Sequence, residues 1–147
     1  MAAFVRRSTA VWHGTGKDGS GHLSTTSGVL ANTPYNFAAR FVSEDGRAGT
    51  NPEELLGAAH AGCFTMALSF QLAGAGFTPE ALTTVAHVSL EKKEAGFEVI
   101  GIRLQLTAKV PGIGAEQFQQ LAANAKAGCP ISKALAAVPI TLDATLA

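Results

Sequence analysis

Charge of one sign is what this sequence most plainly lacks. Eleven basic residues face eleven acidic ones, leaving a formal net charge of zero with histidine neutral. That balance argues against a nucleic acid or another polyanion as partner. Aromatic residues are scarce, 7% of the chain, while glycine and alanine are abundant, a composition suited to closely packed helices. Cysteine occurs only at Cys63 and Cys129, and two thiols so far apart, without an export signal, do not make a structural disulfide framework. A zinc site is disfavoured as well, since no CxxC pair or suitably spaced histidine accompanies them. The opening MAAFVRRSTA has neither the apolar core nor the small-residue cleavage site of a signal peptide. No repeat, linker or low-complexity tract divides the sequence. These absences predict a soluble, cytoplasmic protein with one domain, 1–147, long enough for a proper core.

What is present centres on 50–77, TNPEELLGAAHAGCFTMALSFQLAGAGF. It opens as a helix start: Asn51 can cap, Pro52 fits the first helical position, and Glu54 is placed to close a capping box. Glu53 and Glu54 also suit the positive end of the helix dipole. The following residues are apolar on nearly every side, which predicts a helix without a wet face at the centre of the domain. Gly74 and Gly76 end it. The run has the length of a membrane span, yet it holds His60, Gln71 and several glycines, and its charged, capped start suits water.

Before this helix, 8–13 and 22–30 read as strands joined by a glycine-rich turn. The segment 36–42, NFAARFV, alternates so as to put Phe37, Ala39 and Phe41 on one face and Arg40 on the other. Loop chemistry marks SEDGRAG. After the helix, 82–90 and 97–110 alternate and form a long antiparallel hairpin. The segment 115–127 is an amphipathic helix with Phe118, Leu121, Ala122 and Ala125 inward and Gly128 suited to its C-cap. A last strand, ITLDATL, closes the chain. The order β-β-β-α-β-β-α-β predicts an α+β protein with antiparallel sheet and its helices on one face.

Two features carry chemistry. In AGCPISKAL, Gly128 stops one helix and Pro130 can start another, leaving Cys129 at an N-cap where backbone donors stabilise a thiolate. Cys63, mid-helix among apolar residues, has its thiolate disfavoured by desolvation unless a cation reaches it. Arg40 is the natural helper, a permanent planar cation, and Glu53 can in turn pair with it. His60, three residues before Cys63, is a possible partner for that thiol, or else a packed, hydrogen-bonded core residue. Cys63 itself has the alternative of a plain packing role.

At these residues the chain resembles the OsmC/Ohr family of thiol peroxidases. The resemblance rests on NPEELLGAAHAGCFTMALS, AGCPISKAL and ARF, and extends through VWHGTGKDGSGHLSTTSGVL, PYNFAARF and VPGI. The pattern is closest to the OsmC (osmotically inducible protein C) branch. The resemblance implies an OsmC-like fold, with a long buried central helix and a second helix, in an intertwined homodimer that reduces organic hydroperoxides. Cys63 then attacks the peroxide and Cys129 resolves it, with Arg40 and Glu53 activating the thiol. The loop SEDGRAG is longer than the family's and adds Arg47 as a second candidate cation. A sulfenic acid on Cys63 and a Cys63–Cys129 disulfide follow, regenerated by an external dithiol, which the family implies is lipoyl. No metal or tightly bound cofactor is called for. Leu55, Leu56, Phe64 and Met66 form the expected apolar substrate wall, or equally plain core. Glu53 and Cys63 lie about 15 Å apart along one helix, so a site using both is a composite of two subunits. A non-enzymatic binding module or a redox sensor is the alternative reading.

Overall fold

A computed structural model describes residues 3–147, and these fall into two compact units that divide after Pro52. Each unit is described separately.

The first unit is a three-stranded antiparallel sheet of β1 (Ser8–His13), β2 (Ser20–Thr25) and β3 (Thr33–Tyr35), in the order β1-β2-β3. Trp12 on β1 and Tyr35 on β3 meet edge to face at 5.2 Å across β2. β1 has the predicted bounds, but the third strand does not. The segment 36–42 leaves the sheet and forms a wide helical turn over Ala38–Val42. Asn36 causes this: its side-chain oxygen accepts the Ala39 N–H at 2.8 Å, and the Ser43 N–H returns to the Ala38 carbonyl at 2.9 Å. Phe37 and Phe41, read as strand alternation, are also four residues apart, and the turn brings their rings together, tilted, at 5.0 Å. Arg40 therefore does not oppose the aromatics; its guanidinium lies 4.9 Å from the centre of the Phe41 ring.

The second unit contains α1 (Pro52–Gly74), β4 (Ala81–Lys93), β5 (Gly96–Lys109), α2 (Ala115–Gly128), α3 (Pro130–Ala134) and β6 (Ile140–Leu146). β4 and β5 pair antiparallel along their whole length, as the alternation predicts. β6 pairs with β5 in parallel, from Ile102↔Ile140 to Ala108↔Leu146. This corrects the all-antiparallel expectation. The chain crosses over through α2 and α3 before β6 begins, and a crossover of that length can bring a strand back in the same direction.

The hairpin's alternation buries Ile102, Leu104, Leu106 and Ala108 and leaves Arg103, Gln105, Thr107 and Lys109 exposed. Against that face lie Phe64, Leu68 and Leu72 of α1 and Phe118, Ala122 and Ala125 of α2. Each large side chain of this set contributes about 1.5–3 kcal/mol through burial. The helices are thus gathered on one face of this sheet, as expected.

α1 is not buried all round. One stripe (Gly57, His60, Phe64, Leu68 and Leu72) faces inward at helical spacing, whereas Met66 and Phe70 are 64% and 72% exposed. The helix ends as its glycines predict: Gly76 takes φ +86°, the Phe77 N–H reaches the Leu72 carbonyl at 2.9 Å, and the Gly76 N–H reaches Ala73 at 3.0 Å.

Candidate active site

Two helices set the two thiols. Cys63 stands midway along α1, one position before the buried Phe64. Cys129 is the single residue between α2 and α3, closing one helix and opening the next. Pro130 makes that junction abrupt, because it starts α3 without needing a backbone donor. The glycine expected to cap α2 is its last helical residue, and Cys129 takes the cap, its N–H bonded to Ala125 at 2.9 Å.

The structure brings the two sulfurs to 2.7 Å, both as free thiols in hydrogen-bonding contact. Their surroundings differ. Cys129 is wholly buried, and Cys63 is partly open. Burial pushes the Cys63 thiol above its ordinary range. The neighbouring Cys129 sulfur adds to that rise, and only the Ile131 N–H acts against it. Burial would raise Cys129 too, but bonding from Cys63, from the Ser132 N–H and hydroxyl, and from the Ile131 N–H outweighs it and brings this thiol below its ordinary value. The two thiols are thus shifted in opposite directions, Cys63 up and Cys129 down.

His60, one turn before Cys63, is fully buried and bonded through Nε2 to Ser132 Oγ at 2.8 Å. It is a packed, hydrogen-bonded core histidine, as its apolar helix suggested. Burial lowers its pKa, so it is neutral. Its Nδ1 is buried without a hydrogen-bond partner among the described residues. Ser132 went unread in the sequence. Its spacing offered a signal, since it follows Cys129 by the same three residues that separate His60 from Cys63.

The remaining predicted residues belong to several elements. Glu53 lies in the first turn of α1, about 15 Å along the axis from Cys63. Arg40 belongs to the first unit, where it and Lys17 line a cavity of about 460 Å³ with Trp12, Tyr35, Phe37 and Phe41. Arg47 sits on the exposed loop, its N–H bonded to Asp45 Oδ1 at 3.0 Å. Leu55, Leu56, Phe64 and Met66 do not make one wall. Phe64 is in the core, Met66 is on the open side of α1, and Leu55 and Leu56 are half-buried. Among the described residues, no group of three or more His, Cys, Asp or Glu could hold a metal ion.

Two free thiols at contact distance, one partly accessible and one buried, are near enough for disulfide chemistry. The family model described as OsmC-like protein matches residues 44–143. The chain is 52% identical to Peroxiredoxin OsmC of Escherichia coli (strain K12), over 94% of each chain. It is 32% identical to the organic hydroperoxide resistance protein OhrB of Bacillus subtilis (strain 168), over 78% of this chain and 81% of that one. Its fold matches the crystal structure of an organic hydroperoxide resistance protein OsmC from Legionella pneumophila with a TM-score of 0.72 and 26% identity, covering 99% of both chains.

Proposed function

The chain belongs to the OsmC-like protein family, and from that premise we propose that it is a cysteine-based peroxidase reducing organic hydroperoxides to alcohols. The names of its relatives support a peroxidase role in general. The observation that carries the reading for this chain is the Cys63–Cys129 contact at 2.7 Å, with Cys63 the accessible member.

In this reading Cys63 attacks, because a peroxide reaches the open sulfur before the buried one. Its raised pKa opposes that role, so a cation must favour its thiolate, and Arg40 held by Glu53 supplies it. The Cys63 sulfur takes the distal peroxide oxygen, the O–O bond breaks, and the alcohol leaves, giving Cys63 sulfenic acid. Cys129 displaces hydroxide from that sulfur and closes the disulfide, which spares Cys63 further oxidation. A dithiol then reduces it by exchange; a lipoyl-type reductant is part of the proposal.

A homodimer with composite sites completes the reading. The apolar outer side of α1 supports it, with Met66 and Phe70 exposed. Steady-state consumption of cumene hydroperoxide with a small dithiol tests the function. Turnover that needs both cysteines supports it, and no turnover by the reduced native chain ends it.

A further inference from the structure

Two pairs of side chains join α1 to the segment that begins at Cys129, and they run in parallel. His60 and Cys63 are three positions apart on α1, and Cys129 and Ser132 are three positions apart across the start of α3. Cys129 Sγ lies 2.7 Å from Cys63 Sγ, and Ser132 Oγ lies 2.8 Å from His60 Nε2. We propose that His60 and Ser132 are positioning residues, their hydrogen bond a second tie that keeps Cys129 within closing distance of Cys63 while both thiols are reduced. The inference rests on the peroxidase reading, in which this pair closes to a disulfide, and it does not depend on which thiol holds a proton.

Closure is favourable to the degree that the two sulfurs are already together. An S–S bond is about 2.05 Å long, so a pair at 2.7 Å has under about 1 Å to travel. That advantage is lost when the segment carrying Cys129 swings away, because closure then has to take back the freedom it gained. An interaction that uses neither sulfur must therefore hold the segment before the disulfide forms.

Few interactions do so. Within the segment the hydrogen bonds are local: the Lys133 N–H reaches the Cys129 carbonyl at 3.1 Å, and the Leu135 N–H reaches Ile131 at 2.9 Å. The Cys129 N–H goes to α2, at Ala125. Ile131 and Leu135 pack against the core, but apolar burial has no direction and does not by itself fix the rotation of a five-residue helix. Among the described residues, the hydrogen bonds that join 129–135 to α1 are the thiol contact and His60–Ser132.

The second of these is also hard to replace. His60 is fully buried and Ser132 is 7% exposed, so breaking their bond leaves a buried polar group unpaired. His60 Nδ1 has no partner among the described residues, so the ring is oriented by its one bond, to Ser132. Either tautomer makes that bond, with the ring donating to the serine oxygen or the serine hydroxyl donating to the ring. By linkage, a tie that favours the closed pair is itself favoured by closure to the same extent.

Thiol exchange tests this without peroxide. The native chain is equilibrated with reduced and oxidised glutathione. The two protein thiols give two electrons and two protons to glutathione disulfide, leaving a Cys63–Cys129 disulfide and two glutathione thiols. Acid quenching, alkylation and mass spectrometry then give the effective concentration of one sulfur at the other. Ser132→Ala should lower it about tenfold, raising the potential of the pair by about 30 mV. His60→Leu should do the same, and it reads the bond from its other side if Ser132→Ala does not fold. The double variant should lose no more than either single, because both remove one bond. Ser132→Thr, which keeps the hydroxyl, should restore the native value. Denaturant unfolding of the reduced chains separates this from a general loss of stability. An effective concentration unmoved in a folded Ser132→Ala or His60→Leu chain overturns the inference, and so do losses that add in the double variant. Failure of the native chain to consume peroxide strikes the peroxidase reading instead, and the exchange equilibrium still decides the role of the pair.

Discussion

The sulfur of Cys129 lies 2.7 Å from that of Cys63, and the protein drives their two thiols in opposite directions. Cys63 is partly open, and Cys129 is sealed. Accessibility and the lowered pKa thus sit on different sulfurs. The accessible one can meet a substrate from solvent, whereas the buried one has Cys63 as its neighbour.

Single substitutions should separate these roles. Cys63→Ser should abolish turnover, while Cys129→Ser should consume roughly one peroxide per site and then stall or over-oxidise. Single-turnover mass spectrometry reads the outcome. A first sulfenate on Cys129 would reverse the assignment.

His60 makes stability depend on pH in a known direction. Its folded pKa lies below the ordinary 6.5. As pH falls past that value, the unfolded chain takes a proton that the folded chain refuses, so stability is lost below it, until the folded pKa is reached. The slope is at most about 1.4 kcal/mol per pH unit. Urea unfolding at about pH 7.5 and 5.5 should show the loss, and His60→Gln should flatten it. An unchanged slope in that variant would place the effect elsewhere.

Where sequence reading succeeded and failed has local causes. Strict alternation made the β4–β5 hairpin legible, and the Asn-Pro-Glu-Glu start with its late glycines marked both ends of α1. The segment 36–42 was misread because Phe37 and Phe41 satisfy a period of two and a spacing of four equally well. The Asn36 side chain decides between them through one bond to Ala39. The direction of β6 could not be read from its own residues, since pairing sense is fixed by the crossover before it. The α1 pattern, apolar all round, was right about composition but not about burial. A stripe covered by its own sheet and a side left open look the same in one sequence. Both cysteines were found at once, but Ser132 was not, because a serine one turn into a helix has no distinctive pattern until His60 is seen across from it.

Arg40 and Arg47 can be ranked by kinetics. Arg40→Ala should raise the Cys63 pKa and slow peroxide attack by about 10- to 1,000-fold, for an interaction of about 1.4–4 kcal/mol. Arg47 lies on an exposed loop, and Arg47→Ala should matter far less. Rapid-reaction measurements giving the opposite order would transfer the role to Arg47.

Gly57 lies on the buried stripe of α1, where β4 approaches. A Cβ there would meet Val88 Cγ2 at 3.4 Å and the Ala86 Cβ at 3.7 Å, ordinary contact distances. Gly57→Ala should therefore fit, and should stabilise the fold by about 0.5–1 kcal/mol through the unfolded chain's lost freedom. Denaturant midpoints measure this. A lower midpoint would mean that α1 and β4 pack with no room for a methyl group.

The arrangement of the proposed site among subunits gives the most decisive experiment. Glu53 and Cys63 share α1, yet ten positions put them about 15 Å apart along it and about 80° apart around it. A carboxylate at that distance cannot hold an arginine against the thiol of its own helix. If both serve one site, Glu53 and Arg40 come from a second copy, and a two-fold dimer carries two such sites. The exposed Met66 and Phe70 on α1 are consistent with a second copy covering that side. Mixing Arg40→Ala chains with Cys63→Ala chains tests the arrangement. In a mixed dimer with shared sites, one site combines an intact Cys63 with an intact Arg40, and the other combines both defects. Activity per mixed dimer should then return to about half that of the native dimer. With each site confined to one chain, every site in the mixture is defective and the mixture stays dead. Native mass spectrometry establishes that mixed dimers are present, and no recovery in their presence ends the shared-site proposal.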